Sequence, residues 1–208
     1  MADFFSIGRK VSKCRKVQKS LADRAEKKVN VQKERTLEEF DNHPVTEELK
    51  AGEHSDNISG TLSGYGNLFS FIGFFAGEDP TKIVREILAK NIRFYRTPIR
   101  VDNYKNGNSK FTFKIKYPEL ADFEEDTPFP EDWRNGSWLV GIEQGIYGFQ
   151  SYLYNPEFET YEQSRSTSGL QAKAGNIIIT VRDGKFKNTK YMSEIIRNFI
   201  TRVKSIRK

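Results

Sequence analysis

Few side chains in this 208-residue sequence are of the types that carry out catalysis, and their spacing keeps them apart. His43 precedes a proline and His54 lies in a glycine-rich stretch, and neither belongs to a spacing that binds metals. Cys14 has basic neighbours, but a cysteine nucleophile also needs a positioned base, and no histidine is close in sequence. A single cysteine forms neither an internal disulfide nor a cysteine metal cluster. The sequence therefore predicts no enzyme, no metal and no cofactor.

Two other patterns resemble known sites but lack features that those sites need. Glu124, Glu125 and Asp126 are adjacent, so they lack the separate environments of acid–base pairs and the alternation of a calcium loop. Residues 60–66 are rich in glycine, but no lysine follows Gly66, so the order of a phosphate-binding loop is missing. Neither pattern predicts a small-molecule substrate.

Charge is segregated along the sequence. Residues 9–35 hold eleven basic and three acidic side chains, and residues 182–208 hold nine basic and two acidic ones. Residues 119–132 contain seven acidic side chains and no basic one. Complementary charges steer association and fix register, so basic ends and an acidic middle favour contacts between copies of one protein. The alternative is that each charged run is only the solvated face of a helix.

The spacing of apolar residues predicts a long helix near the N-terminus. It extends over residues 16–41 and ends before His43-Pro44, because the residue before a proline leaves the helical region. Its apolar face is narrow, which indicates packing along one side only. That face is formed by residues about four apart: Val17, Leu21, Ala25 and Val29.

Two further helices are predicted. Asp79 is a typical N-cap and Pro80 suits the first helical position, so a helix begins there and continues to about Lys90. The last helix covers residues 189–206, and its basic end suits the helix dipole. Its apolar face consists of Met192, Ile195, Ile196, Phe199, Val203 and Ile206.

Alternating apolar and polar residues predict a β-hairpin. Residues 110–117 alternate without exception, and residues 92–101 form the partner strand across a turn at Asn106-Gly107. Pro98 places the partner at a sheet edge or a bulge. Three residues of the second strand share one face and are predicted to be core: Phe111, Phe113 and Ile115.

The remaining stretches give two more strands and three special segments. Strands are predicted over residues 137–143 and 176–182. The special segments are a basic arm (1–15), a Gly/Phe-rich loop leading into a buried strand (52–77) and a long acidic loop (118–135). The expected fold is one α+β domain over residues 1–208, with an antiparallel sheet packed by the long N-terminal helix and the C-terminal helix.

The order of these parts resembles the tail-completion and head–tail connector ("neck") proteins of long-tailed bacteriophages. The matching stretches are the helix 16–41, the segment Asn57-Ile-Ser-Gly-Thr-Leu62 and Glu143-Gln-Gly145 at the end of a predicted strand. The threonine that often follows this glycine in the family is replaced by Ile146, and the usual proline-rich lead-in to the terminal helix is missing. The resemblance implies a ring-forming structural part of the virion, with no catalytic residues.

Two classes of function follow from the sequence. The first is a structural ring subunit at a phage neck or tail junction, assembled in the host cytoplasm with other neck, tail or portal proteins, and with packaged DNA as a further contact. The second is a nucleic-acid-binding protein that uses the basic N-terminal region. A nuclease lacks the metal ligands it would need, and no stretch approaches the 18 apolar residues of a membrane span. The predicted subunit contacts are Arg9, Lys10, Lys13, Arg15, Lys16, Phe69, Phe71, Phe74, Phe75, Glu124, Glu125 and Asp126.

Overall fold

The fold is α+β, as the sequence predicts. The computed structural model describes residues 4–104, 108–130, 135–145, 152–154, 164–171 and 186–206. The predicted turn at Asn106-Gly107 and the predicted strand 176–182 lie outside these residues.

The N-terminal third is helical. Helix α1 (Phe4–Lys13) is followed after Cys14 by α2 (Arg15–Asp41), which confirms the predicted long helix and replaces the predicted basic arm by a helix over most of its length. His43-Pro44 ends α2 as predicted, and Pro44 also starts α3 (Pro44–Ala51). The Nδ1 atom of His43 caps α3 by accepting a hydrogen bond from the amide of Val45 at 3.2 Å.

The Gly/Phe-rich segment contains a buried helix, so the predicted strand there is wrong. Helix α4 (Leu68–Ile72) begins where the Asn67 side chain accepts a hydrogen bond from the Ser70 amide at 2.8 Å. It ends at Gly73, whose φ of +90° is a left-handed conformation that few other residues adopt. A good N-cap and a glycine C-cap outweigh the β-propensity of the phenylalanines, and burial supplies the rest of the stability.

Helix α5 (Thr81–Asn91) and the β-hairpin follow in the predicted order. The antiparallel strands are β1 (Arg93–Asn103) and β2 (Ser109–Lys116). Their register shifts between Tyr95 and Arg100, which places Pro98 at an irregularity, as predicted. A second antiparallel pair consists of β3 (Tyr152–Tyr154) and β4 (Gly169–Gln171).

The predicted strand 137–143 is also a helix, α6 (Trp138–Gln144). The Ser137 hydroxyl accepts a hydrogen bond from the Val140 amide at 3.2 Å, which is N-cap geometry. Trp138, Leu139 and Ile142 are buried at spacings that suit one helix face. This sequence of apolar residues is too short for periodicity to distinguish a strand from a helix.

The C-terminal helix α7 (Met192–Ser205) confirms the last predicted element and packs against α2. Its buried residues are Met192, Ile195, Ile196 and Phe199. They join one core with side chains of α2, α3, α4, α5 and α6. The hairpin contacts α1 and α2 from outside this core, and its Phe94 and Ile115 pack against the core only in part.

Candidate interaction surfaces

Three of the four predicted contact phenylalanines belong to the core. Phe69, Phe71 and Phe74 expose 0%, 2% and 5% of their surface, so their apolar groups are already covered within one chain. Phe74 packs edge-on against Trp138, with ring centroids 5.5 Å apart. The assignment of these three side chains to a subunit contact is therefore wrong, because they fill the core, where Phe74 packs against α6.

Phe75 differs from its neighbours because 51% of its surface is exposed. It lies on a short tip, residues 73–79, between α4 and α5. The Phe75 amide donates a hydrogen bond to the Glu78 carboxylate at 3.0 Å, and the Arg165 guanidinium lies 5.7 Å from the Phe75 ring centroid. The tip therefore presents one aromatic side chain and the exposed carboxylate of Glu78 in a fixed arrangement.

The glycine-rich segment before α4 is organised by one buried carboxylate, although a flexible loop is predicted there. Glu48 exposes 0% of its surface and accepts hydrogen bonds from the side-chain amide of Asn57 and from the backbone amide of Leu68. Asn57 in turn accepts hydrogen bonds from the amides of Leu62 and Gly64. These contacts attach residues 57–68 to α3. Asn57 begins the segment that carries the resemblance, whereas no pattern in the sequence marks Glu48.

The predicted basic contacts form one surface along α1 and the start of α2. Arg9, Lys10, Lys13, Arg15 and Lys16 are all exposed, and none of them forms a salt bridge with another residue that the structure describes. This set is called the basic surface below. Basic side chains therefore remain available to a partner over both helices.

Two of the three acidic side chains within residues 9–35 are paired with a basic residue. Arg96 of β1 donates to Asp23 at 2.6 Å and also contacts Glu26. Beside this pair, α2 carries a shallow depression of about 390 Å³. Its lining is mainly basic: Lys16, Lys19, Ser20, Asp23, Arg24 and Lys27.

The predicted acidic residues project from a short anchored segment. A 3₁₀ turn (Leu120–Phe123) carries the fully buried Phe123 and lies against α5. Glu124, Glu125 and Asp126 follow it, and all three are exposed. Within the described ranges none of the three forms a salt bridge. This set is called the acidic surface, and its backbone is held in place by the burial of Phe123.

The inner face of β2 lines an apolar groove between the hairpin, α2 and α7. The groove has a volume of about 290 Å³, and Phe111 and Phe113 of its floor are only half-buried. The prediction that these two phenylalanines belong to the core is therefore wrong. Ile115, the third residue of that prediction, is partly buried and packs against the core. An adjoining open depression of about 570 Å³ shares Ala25, Phe111, Phe113 and Ile206 with it.

The rim of this groove is basic. Arg24, Lys27 and Lys28 of α2 and Lys110 of β2 are exposed around it. No acidic side chain among the described residues lines either depression. The alternation of β2 places Phe111 and Phe113 on one face, but the sequence alone cannot show that α2 and α7 leave that face partly uncovered.

The side chains that could take part in catalysis do not form a catalytic arrangement in the described part of the chain. Cys14 is exposed at the junction of α1 and α2. His43 packs against the Tyr191 ring, with centroids 4.8 Å apart, and burial lowers the pKa of His43. Burial raises the pKa of Tyr191, whose hydroxyl pairs with that of Thr46 at 2.6 Å. Groups of three or more potential metal ligands are absent from the residues the structure covers.

The motif Glu143-Gln-Gly145 joins α6 to α7. The Glu143 carboxylate accepts a hydrogen bond from the Ser193 amide at 2.7 Å, in the first turn of α7. The amide of Thr189 donates to the Ile142 carbonyl at 3.1 Å. Glu143 therefore fixes the position of the C-terminal helix.

Comparison with known proteins leaves the family open. No protein-family model matches the sequence, and neither a curated protein nor a solved structure shows significant similarity to it. Among the described helices, none has the combination of length and apolar composition that crossing a bilayer requires.

Proposed function

We propose that this protein is a structural virion subunit that forms a ring at the neck or tail junction of a long-tailed bacteriophage. One observation supports it most: the basic surface and the acidic surface are both exposed, and neither is neutralised by the described residues of its own chain. Unpaired charges of opposite sign on one chain favour head-to-tail contacts, which close into rings when the rotation permits. The resemblance of the sequence to neck and tail-completion proteins supplies the location.

The two surfaces lie on different elements, so they are suited to meet between copies. The basic surface belongs to α1 and α2, and the acidic surface follows the 3₁₀ turn that lies against α5. Both have a fixed backbone, because α1 packs on the hairpin and Phe123 is buried. Fixed charges lose less entropy on binding than charges on free arms do.

Charge reversal tests the proposal. The variant with Glu124→Lys, Glu125→Lys and Asp126→Lys should raise the concentration needed for assembly, measured by native mass spectrometry and electron microscopy. Reversing three basic residues of α1 (Arg9→Glu, Lys10→Glu, Lys13→Glu) should have the same effect, and combining the two sets should restore assembly. A wild-type chain that stays monomeric at low salt and high concentration would remove the proposal.

A second candidate function is nucleic-acid binding through the basic depression on α2. Lys16, Lys19, Arg24 and Lys27 line it, and clustered lysines and arginines bind phosphate backbones without sequence preference. Affinity for duplex and single-stranded DNA should fall steeply with salt, and Lys16→Glu with Lys19→Glu should reduce the slope by about 2. A response that does not change with salt would exclude this candidate.

A further inference from the structure

We infer that the Phe75 tip of one copy inserts into the groove between α2, β2 and α7 of the next copy. This inference rests on the proposed head-to-tail assembly and names the apolar contact within it. It connects two features that one chain leaves unfilled: an exposed aromatic side chain and an apolar cavity of about 290 Å³.

The groove has the composition of a site for an aromatic anchor. Its floor is formed by rings and aliphatic side chains, among them Phe111, Phe113 and Val203. Aromatic side chains are enriched at the cores of interfaces, and the residues that contribute most binding energy lie in well-packed, desolvated pockets. Because Phe111 and Phe113 stay half-buried in the single chain, filling the groove also removes their remaining apolar surface from water.

The tip has the composition of an occupant for this groove. Phe75 is 51% exposed, and the two residues that follow it, Ala76 and Gly77, are small and exposed. A Cβ added at Gly77 would meet no atom within 4 Å, so the tip is open on that side. A narrow tip with one ring can enter a groove that a helix or sheet face cannot.

The exposed carboxylate of the tip, Glu78, complements the basic rim of the groove, which carries Arg24, Lys27, Lys28 and Lys110. The next acidic residue, Asp79, does not add to this charge, because it accepts hydrogen bonds from Thr81 and pairs with Lys82. Arg165 lies over the Phe75 ring, so the ring and Glu78 are the groups that the tip offers to the groove. The 3₁₀ turn that precedes the acidic surface contacts α5, and α5 begins shortly after the tip. The basic surface includes the start of α2, the helix that also carries most of the rim. The tip therefore matches the groove in two respects, an exposed ring for the apolar floor and an exposed carboxylate for the basic rim.

The contact is heterologous, since the tip and the groove are different parts of the chain. A chain that has lost its tip still offers a groove, and a chain with a filled groove still offers a tip. Two such variants cannot form long assemblies alone, but together they can form a dimer through one intact contact. A dimer that forms only in the mixture therefore distinguishes the loss of a specific contact from a general change in solubility.

The experiment uses Phe75→Ser as the tip variant and Ala25→Phe as the groove variant. Each should raise the concentration needed for assembly at least about tenfold, as loss of an aromatic anchor does. Mixed in equal amounts, they should give a 1:1 dimer at twice the 24.1 kDa mass of the chain in native mass spectrometry. Matched controls are Ile58→Ser, with the same 51% exposure as Phe75, and Val31→Phe, at a 50% exposed position of α2.

Circular dichroism and thermal unfolding check that each variant folds. If Ala25→Phe fails to fold, Lys27→Glu with Lys28→Glu replaces it, because these rim side chains are exposed. Wild-type assembly that neither variant weakens would overturn this inference and leave the proposed function in place. The absence of a dimer in the mixture would overturn it as well. So would groove variants that assemble like the wild type and weaken only the binding of single-stranded DNA, measured with oligo(dT). A wild-type chain that never assembles would overturn both.

Discussion

The carboxylate of Glu48 accepts a hydrogen bond from the side-chain amide of Asn57, with 2.9 Å between Oε1 and Nδ2. The same carboxylate accepts hydrogen bonds from the amides of Leu68 at 2.6 Å and Ser59 at 2.7 Å. Among the described residues no cation approaches it, so three N–H donors offset the cost of burying its charge. Glu48 thereby sets the path of the chain from α3 to α4.

Replacing Glu48 by glutamine should destabilise the protein. Glutamine offers one acceptor oxygen where the carboxylate has two, and its NH₂ group would face the backbone donors of Ser59 or Leu68. We expect a loss of about 2–4 kcal/mol in the free energy of unfolding, measured by urea denaturation. The matched control is Glu47→Gln, at the exposed neighbouring position, which should change stability by less than about 0.5 kcal/mol. Equal effects of the two substitutions would contradict this role of Glu48.

The long helices and the hairpin could be predicted because their signals are repeated along the sequence. The apolar stripe of α2 and the alternation of β2 each extend over several periods, so one exceptional residue does not change the interpretation. Helices α4 and α6 are only five and seven residues long, which is too short for periodicity to distinguish a helix from a strand. Their caps, Asn67 with Gly73 and Ser137 with Gly145, are the signals that could have identified them.

Arg202 connects α7 to α2, and its replacement by lysine should weaken the packing of these two helices. Its guanidinium donates to Glu39 at 2.7 Å and to Thr36 at 2.8 Å, a forked arrangement that the single ammonium of lysine cannot reproduce. We expect Arg202→Lys to lower the free energy of unfolding by about 1–3 kcal/mol.

The control for this change is Arg197→Lys on the same helix. Arg197 pairs with Glu194 at 3.5 Å, and 63% of its side chain is exposed, so its replacement should have an effect below about 0.5 kcal/mol. Chemical denaturation of both variants under the same conditions makes the comparison. If Arg197→Lys proves as costly as Arg202→Lys, the connection between α2 and α7 does not depend on Arg202.

Gly145, which ends α6, should tolerate no side chain. Its φ of +98° and ψ of 139° belong to a region that is almost restricted to glycine, and a Cβ there would lie 3.0 Å from Asn188 Oδ1. Gly145→Ala should therefore cost about 1–3 kcal/mol of stability from backbone strain, and more from the contact with Asn188.

Two variants separate these causes. Gly77→Ala has a similar φ of +82° with no atom near the added Cβ, so it measures strain alone. In a double-mutant cycle by thermal unfolding, Asn188→Ala should recover the part of the Gly145→Ala loss that comes from the close contact. No recovery would mean that strain accounts for the whole loss.

Some features of the candidate surfaces could be predicted from the local sequence, and others depend on contacts between distant parts of the chain. The basic and acidic runs could be predicted, because charged side chains on exposed elements stay where the sequence places them. The burial of the phenylalanines could not be predicted. Phe74 is buried against Trp138, which is 64 positions away in the chain, whereas the next residue, Phe75, is exposed. The groove depends on α2, β2 and α7 together, so it is visible only in the folded chain.

His43 should make stability depend on pH below neutrality. Burial lowers its pKa from the ordinary value of 6.5, against the opposing influence of Glu194, Glu39, Glu143 and Glu47. As the pH falls below about 6.5, the unfolded chain binds a proton that folded His43 resists, so stability falls until the pH passes below the folded pKa. The cap gives the structural reason: Nδ1 must lack a proton to accept a hydrogen bond from the Val45 amide.

His43→Asn keeps a capping acceptor without a titrating group, so the free energy of unfolding in urea should vary less between pH 7 and 5 for this variant. The control is His54→Asn, since 85% of the His54 side chain is exposed and its loss should leave the pH profile unchanged. If His54→Asn reduces the pH dependence of stability and His43→Asn does not, the pH dependence comes from His54 and the prediction is wrong.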